Sequence, residues 1–255
     1  MSTMRTVAGV DLEIEERGSG KPIVVLHGGE GLGSNLPWLD LLARSHRVIA
    51  PMHPGFGRSS LPNWLGTVDD LAYLYLDLLQ DLDLQDATIL GASFGGWIAA
   101  EMMVRSTARV SKLVLAAPLG IKVGGRDDRD IADMHAMTRD EFLAHAWADP
   151  AKGRLDPASL SDIELAQIVR GREALTLFGW KPYMHNPRLK RWLHRIDRPT
   201  LLLWGESDRI ISRQYVEGWQ REIAGSRLET VGGAGHFPLW EQPEASIRLI
   251  DAFTR

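Results

Sequence analysis

Five short apolar runs, each stopped by glycine or proline and separated from the next by helical periodicity, constrain this 255-residue chain most tightly. Ile23-Val24-Val25-Leu26 follows Pro22 and precedes His27-Gly28-Gly29. Similar runs recur at Val48-Ile49-Ala50, Ala87-Thr88-Ile89-Leu90, Leu113-Val114-Leu115-Ala116 and Leu201-Leu202-Leu203-Trp204. They are too continuous to face water on one side, so they read as strands buried on both faces of a largely parallel sheet. Val10-Asp11-Leu12-Glu13-Ile14-Glu15 alternates strictly instead and reads as a half-solvated antiparallel strand at the sheet edge.

Helices fill the gaps. Thr67 can cap residues 68–84, where Asp69 and Asp70 suit the helix dipole and Leu71, Leu74, Leu78 and Leu82 line one face. Further helices are predicted over 96–104 and 243–253. Residues 121–195 break the alternation: they lack a buried-strand signal and hold amphipathic pieces punctuated by Pro150, Pro157, Pro182 and Pro187. Thr138 with Glu141 three residues later has the spacing of a capping box there. The predicted organisation is an α/β core, 1–120 and 196–255, with a helical cap, 121–195, inserted between core strands.

Twenty-nine Lys and Arg against 33 Asp and Glu give a net charge of −4, without the basic footprint of a nucleic-acid binder. Zero cysteines exclude disulfides, thiolate metal sites and a thiol nucleophile. No apolar run approaches a membrane span, and residues 1–18 lack the apolar stretch of a signal peptide. The expected setting is the cytoplasm, as a monomer or homodimer acting on a small molecule.

Gly91-Ala92-Ser93-Phe94-Gly95-Gly96 carries the chemistry. It follows an apolar run directly and precedes a helical stretch directly. So tight a strand-to-helix turn strains its central residue, and glycines two before and two after remove side chains that would collide. A serine hydroxyl held there needs a base, and the base needs an orienting group. His236 lies in the glycine-rich loop Gly232-Gly233-Ala234-Gly235-His236 after the strand-like Leu228-Glu229-Thr230-Val231. Asp208 follows the run ending at Trp204, with Glu206 in reserve. His53 is an alternative base without a nearby acid. The order Ser93, Asp208, His236 is that of the α/β-hydrolase triad.

In these motifs the chain resembles the α/β-hydrolase superfamily, from residue 10 to residue 253, and within it the cap-bearing carboxylesterases and carbon–carbon bond hydrolases. The resemblance implies that His27-Gly28-Gly29-Glu30-Gly31 completes an oxyanion hole with the N–H groups of Gly29 and Phe94, and that His27 orients this loop. Pro54-Gly55-Phe56-Gly57-Arg58-Ser59-Ser60 matches the family's Gly-x-Gly-x-Ser loop, but the acid usual before it is replaced by Met52-His53. The expected reaction is ester hydrolysis through an acyl-enzyme, without metal or organic cofactor. Phe94, Trp147, Trp180 and Phe237 are candidates for an apolar pocket favouring small to medium uncharged esters, while Arg170 and Arg172 offer recognition of an acid. Carbon–carbon hydrolases of the meta-cleavage type carry Asn before the nucleophile and Trp after the histidine, where this chain has Ala92 and Phe237. A ligand receptor on the same fold and a cofactor-free peroxidase side activity are further alternatives.

Overall fold

The computed structural model describes residues 2–33 and 36–255. The chain opens with the hairpin β1 (Ser2–Val7) and β2 (Val10–Arg17), then β3 (Pro22–Leu26), α1 (Pro37–Leu42) and β4 (Arg47–Pro51). Next come α2 (Val68–Asp81), β5 (Ala87–Ala92), α3 (Phe94–Arg105) and β6 (Val110–Ala116). The long connection that follows holds α4 (Arg139–Ala146) and α5 (Asp162–Gly179). The chain closes with β7 (Thr200–Gly205), α6 (Arg213–Glu222), β8 (Arg227–Val231), α7 (Pro238–Glu241) and α8 (Pro243–Thr254).

Among the described residues, eight strands form one sheet in the order β1-β2-β4-β3-β5-β6-β7-β8. From β4 to β8 neighbouring strands pair in parallel, and β2 joins β4 antiparallel. This is the α/β-hydrolase fold. Side chains alternate across each strand, and both faces are covered. Ile23 and Val25 of β3, with Val114 and Ala116 of β6, pack with Trp38, Leu39 and Leu42 of α1 and with Ile247 and Ile250 of α8. Val24, Leu26, Leu113 and Leu115 point the other way, into a core shared with α2, α3 and α6.

The sheet edge differs from the expectation. β2 is paired on both sides, and the edge strand is β1, whose Ser2, Thr3 and Met4 are exposed. Ala8 and Gly9 both take positive φ, 49° and 79°, the requirement of a tight two-residue hairpin turn. α2 starts at the predicted cap: the Thr67 hydroxyl accepts from the Asp70 N–H, and the Asp70 carboxylate accepts from the Thr67 N–H. It ends at Asp81, short of residue 84, because Asp83 turns the chain with φ 45°.

Residues 121–195 lie in the connection between β6 and β7. Thr138 and Glu141 form the reciprocal capping box that starts α4. α5 is anchored along its inner face. Arg170 donates to the Gly57 and Ser59 carbonyls at 2.9 and 2.6 Å, and Phe178 stacks on Phe94 with centroids 6.1 Å apart. The short 3-10 turn Leu189–Arg195 runs back to the core, where Arg195 donates to the Val104 carbonyl at 2.7 Å.

Candidate active site

β5 delivers its chain to Ser93 at the end of the strand, and α3 starts at the next residue. Ser93 has φ 51° and ψ −113°, a conformation that costs a non-glycine residue about 1–3 kcal/mol. The surroundings hold it there. Its N–H donates to the Ala116 carbonyl of β6, and its carbonyl accepts from the N–H groups of Gly96 and Leu119. A Cβ on Gly91 would lie 2.5 Å from the Gly95 carbonyl oxygen, and one on Gly95 would overlap the Leu26 carbonyl. Both positions therefore require glycine for close backbone approach.

The parallel topology brings three strand ends to one edge, and with them the three predicted side chains. Ser93 Oγ donates to His236 Nε2 at 2.8 Å, and His236 Nδ1 donates to Asp208 Oδ2 at 2.9 Å. Asp208 Oδ1 accepts from the N–H groups of Ile210 and Ile211, at 2.8 and 3.1 Å. The acid is therefore fixed by its own turn and keeps one oxygen for the imidazole. The His236 N–H donates to the Ala146 carbonyl, tying the loop to the end of α4. Glu206, the reserve acid, is exposed, and its backbone is held by Val231 at the far side of the turn.

The loop after β3 lies against this group. A Cβ on Gly28 would stand 3.3 Å from Ser93 Cβ and 4.0 Å from Ser93 Oγ. The Gly28 carbonyl accepts from His27 Nδ1 and from the Gly31 N–H, at 2.7 and 3.1 Å. Because the peptide is trans, the Gly29 N–H points the opposite way, away from His27. The Phe94 N–H stands in the first turn of α3, where intrahelical acceptors are missing.

His53 lies elsewhere. It is fully buried, with its ring nitrogens on the Tyr75 hydroxyl and the His27 carbonyl. Burial holds the His53 ring well below the ordinary histidine range and pushes His27 down to about 4. Both rings are neutral at physiological pH, and neither contacts Ser93 through a hydrogen bond.

Ser93 is only 8 % exposed. The void against it, lined by Gly28, Ala92, His236 and Trp240 among others, measures about 10 Å³, the lower limit for one water molecule. A cavity of about 760 Å³ opens between α4, α5 and the β3 loop, with Gly29 on its wall. Met134, Met137, Phe142, Leu175 and Met184 supply its apolar lining, and Arg139, Arg172, Glu30 and Glu173 its charges. Leu175 packs directly on Gly29: its Cδ2 lies 2.5 Å from where a Gly29 Cβ would be.

The aromatic candidates divide. Phe237 lies edge-on to His236 with centroids 5.3 Å apart and lines the small void. Trp147 packs on Phe237 at 5.0 Å, behind the reacting groups. Phe94 is wholly buried among His53, Trp97 and Phe178. Trp180 departs from the expectation. It is 59 % exposed, edge-on to His135, and outside the cavity lining, because it caps α5 one residue beyond the helix and off its inner face. Arg170 is committed to backbone carbonyls, whereas Arg172 reaches the cavity.

Sequence reasoning did not find Leu175, Glu241 or Tyr75. Glu241 is buried and accepts from the Gly235 and Ala148 N–H groups, both at 2.7 Å, joining the histidine loop to the connection between β6 and β7. Tyr75 carried a readable signal: a polar tip on the apolar stripe of α2, one position after Leu74.

The model of the alpha/beta hydrolase family matches residues 23–249. The chain belongs to that family. This alpha/beta hydrolase is 34% identical over 263 residues to 2-hydroxymuconate semialdehyde hydrolase of Pseudomonas sp. strain CF600, covering 95% of this chain and 88% of that one. Among solved structures, a variant of the meta-cleavage product hydrolase CumD from Pseudomonas fluorescens superimposes with a TM-score of 0.80 at 20% identity, covering 98% of this chain and 96% of that one. An esterase from Exiguobacterium antarcticum superimposes with a TM-score of 0.76 at 22% identity, covering 100% and 99%. Those two structures share the hydrolase's fold. Among its described residues, no helix is long and apolar enough to cross a membrane.

Proposed function

We propose that this alpha/beta hydrolase is a serine hydrolase cleaving small to medium uncharged carboxylic esters through Ser93, His236 and Asp208. The observation that carries the reading is the unbroken hydrogen-bond chain from Ser93 Oγ through His236 to Asp208, starting at a serine held with positive φ. His236 takes the Ser93 proton as the hydroxyl attacks the carbonyl, and Asp208 holds the tautomer that leaves Nε2 free to accept it. The N–H groups of Gly29 and Phe94 receive the developing oxyanion, each worth on the order of 3 kcal/mol in the transition state. Water activated by the same imidazole then releases the acid. Residues 121–195 act as a cap over the strand ends. Phe237 walls the reacting centre, and Trp147 supports it from behind.

A second reading, carbon–carbon hydrolysis of a dienoate, has its own support. The relative at 34% identity is a 2-hydroxymuconate semialdehyde hydrolase, and the cavity presents Arg139 and Arg172, suited to a carboxylate. Against it stand Ala92 and Phe237, where that class carries Asn and Trp.

Parallel turnover of p-nitrophenyl butyrate and of a ring-cleavage dienoate separates the two. Ester turnover with little dienoate cleavage is expected, and the reverse preference would replace the ester reading. Ser93→Ala should lower turnover of the preferred substrate by about four to six orders of magnitude in a folded protein. Full activity in that variant would overturn both.

A further inference from the structure

His27, His53 and Tyr75 are buried polar groups that take no proton from the substrate. We infer that Tyr75, His53 and His27 form an ordered hydrogen-bond relay that aims the Gly28–Gly29 peptide, which makes Tyr75 and His53 positioning residues for the oxyanion-binding loop. The inference rests on Ser93 being the nucleophile.

Every proton in the relay has one placement. The His53 N–H donates to His27 Nε2 at 2.9 Å, so that nitrogen carries no proton. The His27 proton therefore sits on Nδ1 and is donated to the Gly28 carbonyl at 2.7 Å. His53 Nε2 faces the His27 carbonyl at 2.9 Å and must donate to it. His53 Nδ1 is then a lone-pair acceptor, filled by the Tyr75 hydroxyl. Two successive carbonyls, those of residues 27 and 28, are thus held from one side. The amide plane between Gly28 and Gly29 cannot rotate without breaking the bond from His27, and its N–H is the group aimed at the oxyanion.

The environment keeps the relay dry and single-valued. The two imidazoles lie with centroids 3.7 Å apart, and Phe56 and Phe94 stand edge-on to His53 at 5.9 and 5.8 Å. All three polar side chains are 1 % exposed or less, so water cannot substitute for a missing partner. If Tyr75 loses its hydroxyl, the His53 Nδ1 lone pair is left buried without a donor and the ring keeps only one side-chain anchor, the His27 carbonyl. The ring is then free to tilt, which loosens the bond from Nε2 to that carbonyl and with it the loop.

The test compares Tyr75→Phe, His53→Leu and His53→Gln with wild type, using p-nitrophenyl butyrate or the dienoate, whichever turns over. Phenylboronic acid serves as a tetrahedral adduct former on Ser93. Tyr75→Phe and His53→Leu should lower kcat by about 10- to 100-fold with KM within about twofold, the pattern of an interaction lost only in the transition state. Boronate affinity should fall in parallel. His53→Gln, whose amide can still donate to the His27 carbonyl, should recover kcat to within a few-fold of wild type. Nitrogen-15 NMR of the unaltered protein should find His53 protonated on Nε2 and His27 on Nδ1, a readout independent of whether any variant folds. Reversed tautomers, or folded Tyr75→Phe and His53→Leu proteins with unchanged kcat and boronate affinity, would overturn the relay. If Ser93→Ala stays fully active, the serine reading fails instead.

Discussion

Replacing Asp208 by Asn tests how the acid acts, because its surroundings dictate which way the amide must lie. Asp208 Oδ1 accepts two backbone N–H groups, from Ile210 and Ile211, and Oδ2 accepts from His236 Nδ1. In Asp208→Asn the amide oxygen must take the Oδ1 place, since the NH2 group there would face two donors in a site whose side chain is wholly buried. The NH2 group is then set against His236 Nδ1 and forces that nitrogen to become an acceptor. The imidazole proton moves to Nε2, which points at Ser93 Oγ from 2.8 Å and can no longer take its proton. The expected loss in kcat is about 10⁴-fold, or roughly 5.5 kcal/mol of transition-state stabilisation. The fold should survive, because shape and two of the three hydrogen bonds are retained. Steady-state kinetics on the preferred substrate, with thermal unfolding of the same preparation, reads both quantities. A kcat within tenfold of wild type in a folded variant would refute the assignment of Asp208 as the group that sets the tautomer.

Two further outcomes concern stability. Gly95→Ala would drive a methyl group into the backbone carbonyls of Leu26 and His27; neither can rotate away, so a loss above about 4 kcal/mol or failure to express soluble protein is expected. Gly66→Ala, with nothing within 4 Å of its added carbon, should shift unfolding by about 0.5 kcal/mol or less when both variants are titrated with urea. His27 is held down to about 4 by burial, against about 6.5 when unfolded. Between those values the unfolded chain binds more protons, so stability is full above pH 6.5 and declines as pH falls toward 4. The His27 contribution is roughly 3 kcal/mol, and His53, shifted in the same direction, adds to it. An unfolding midpoint that stays flat or rises from pH 7 to pH 4 would contradict this.

Five of the six parallel strands were legible because each is an apolar run closed by glycine or proline, and parallel pairing places all six carboxyl ends along one edge. That topology also explains why Ser93, Asp208 and His236 could be grouped from strand-end context alone, although 143 residues separate the serine from the histidine. β1 was not legible: Thr3, Met4, Arg5 and Thr6 form an exposed edge with no apolar alternation. α6 was hidden by its polar surface and by Gly218, which reads as a helix breaker but lies where a Cβ would meet Val123. The cavity was illegible for a different reason. Its wall is assembled from Met134, Phe142, Leu175 and Met184, which come from separate segments with no shared period. Bulk misled at Trp180, since the inner face of α5 is set by Gly171, Ala174 and Phe178, and Trp180 falls outside it.

The large cavity has Gly29 and Leu175 on its wall but not Ser93, which lines only the small void, so occupancy and reaction are separate events. A molecule can fill 760 Å³ of mostly apolar space without its carbonyl meeting Ser93. Tight binders of this hydrolase are therefore not, on that ground, its substrates, and a screen ranked by affinity will enrich compounds that stop at the antechamber. Ranking by turnover that Ser93→Ala abolishes selects instead for compounds that reach the serine.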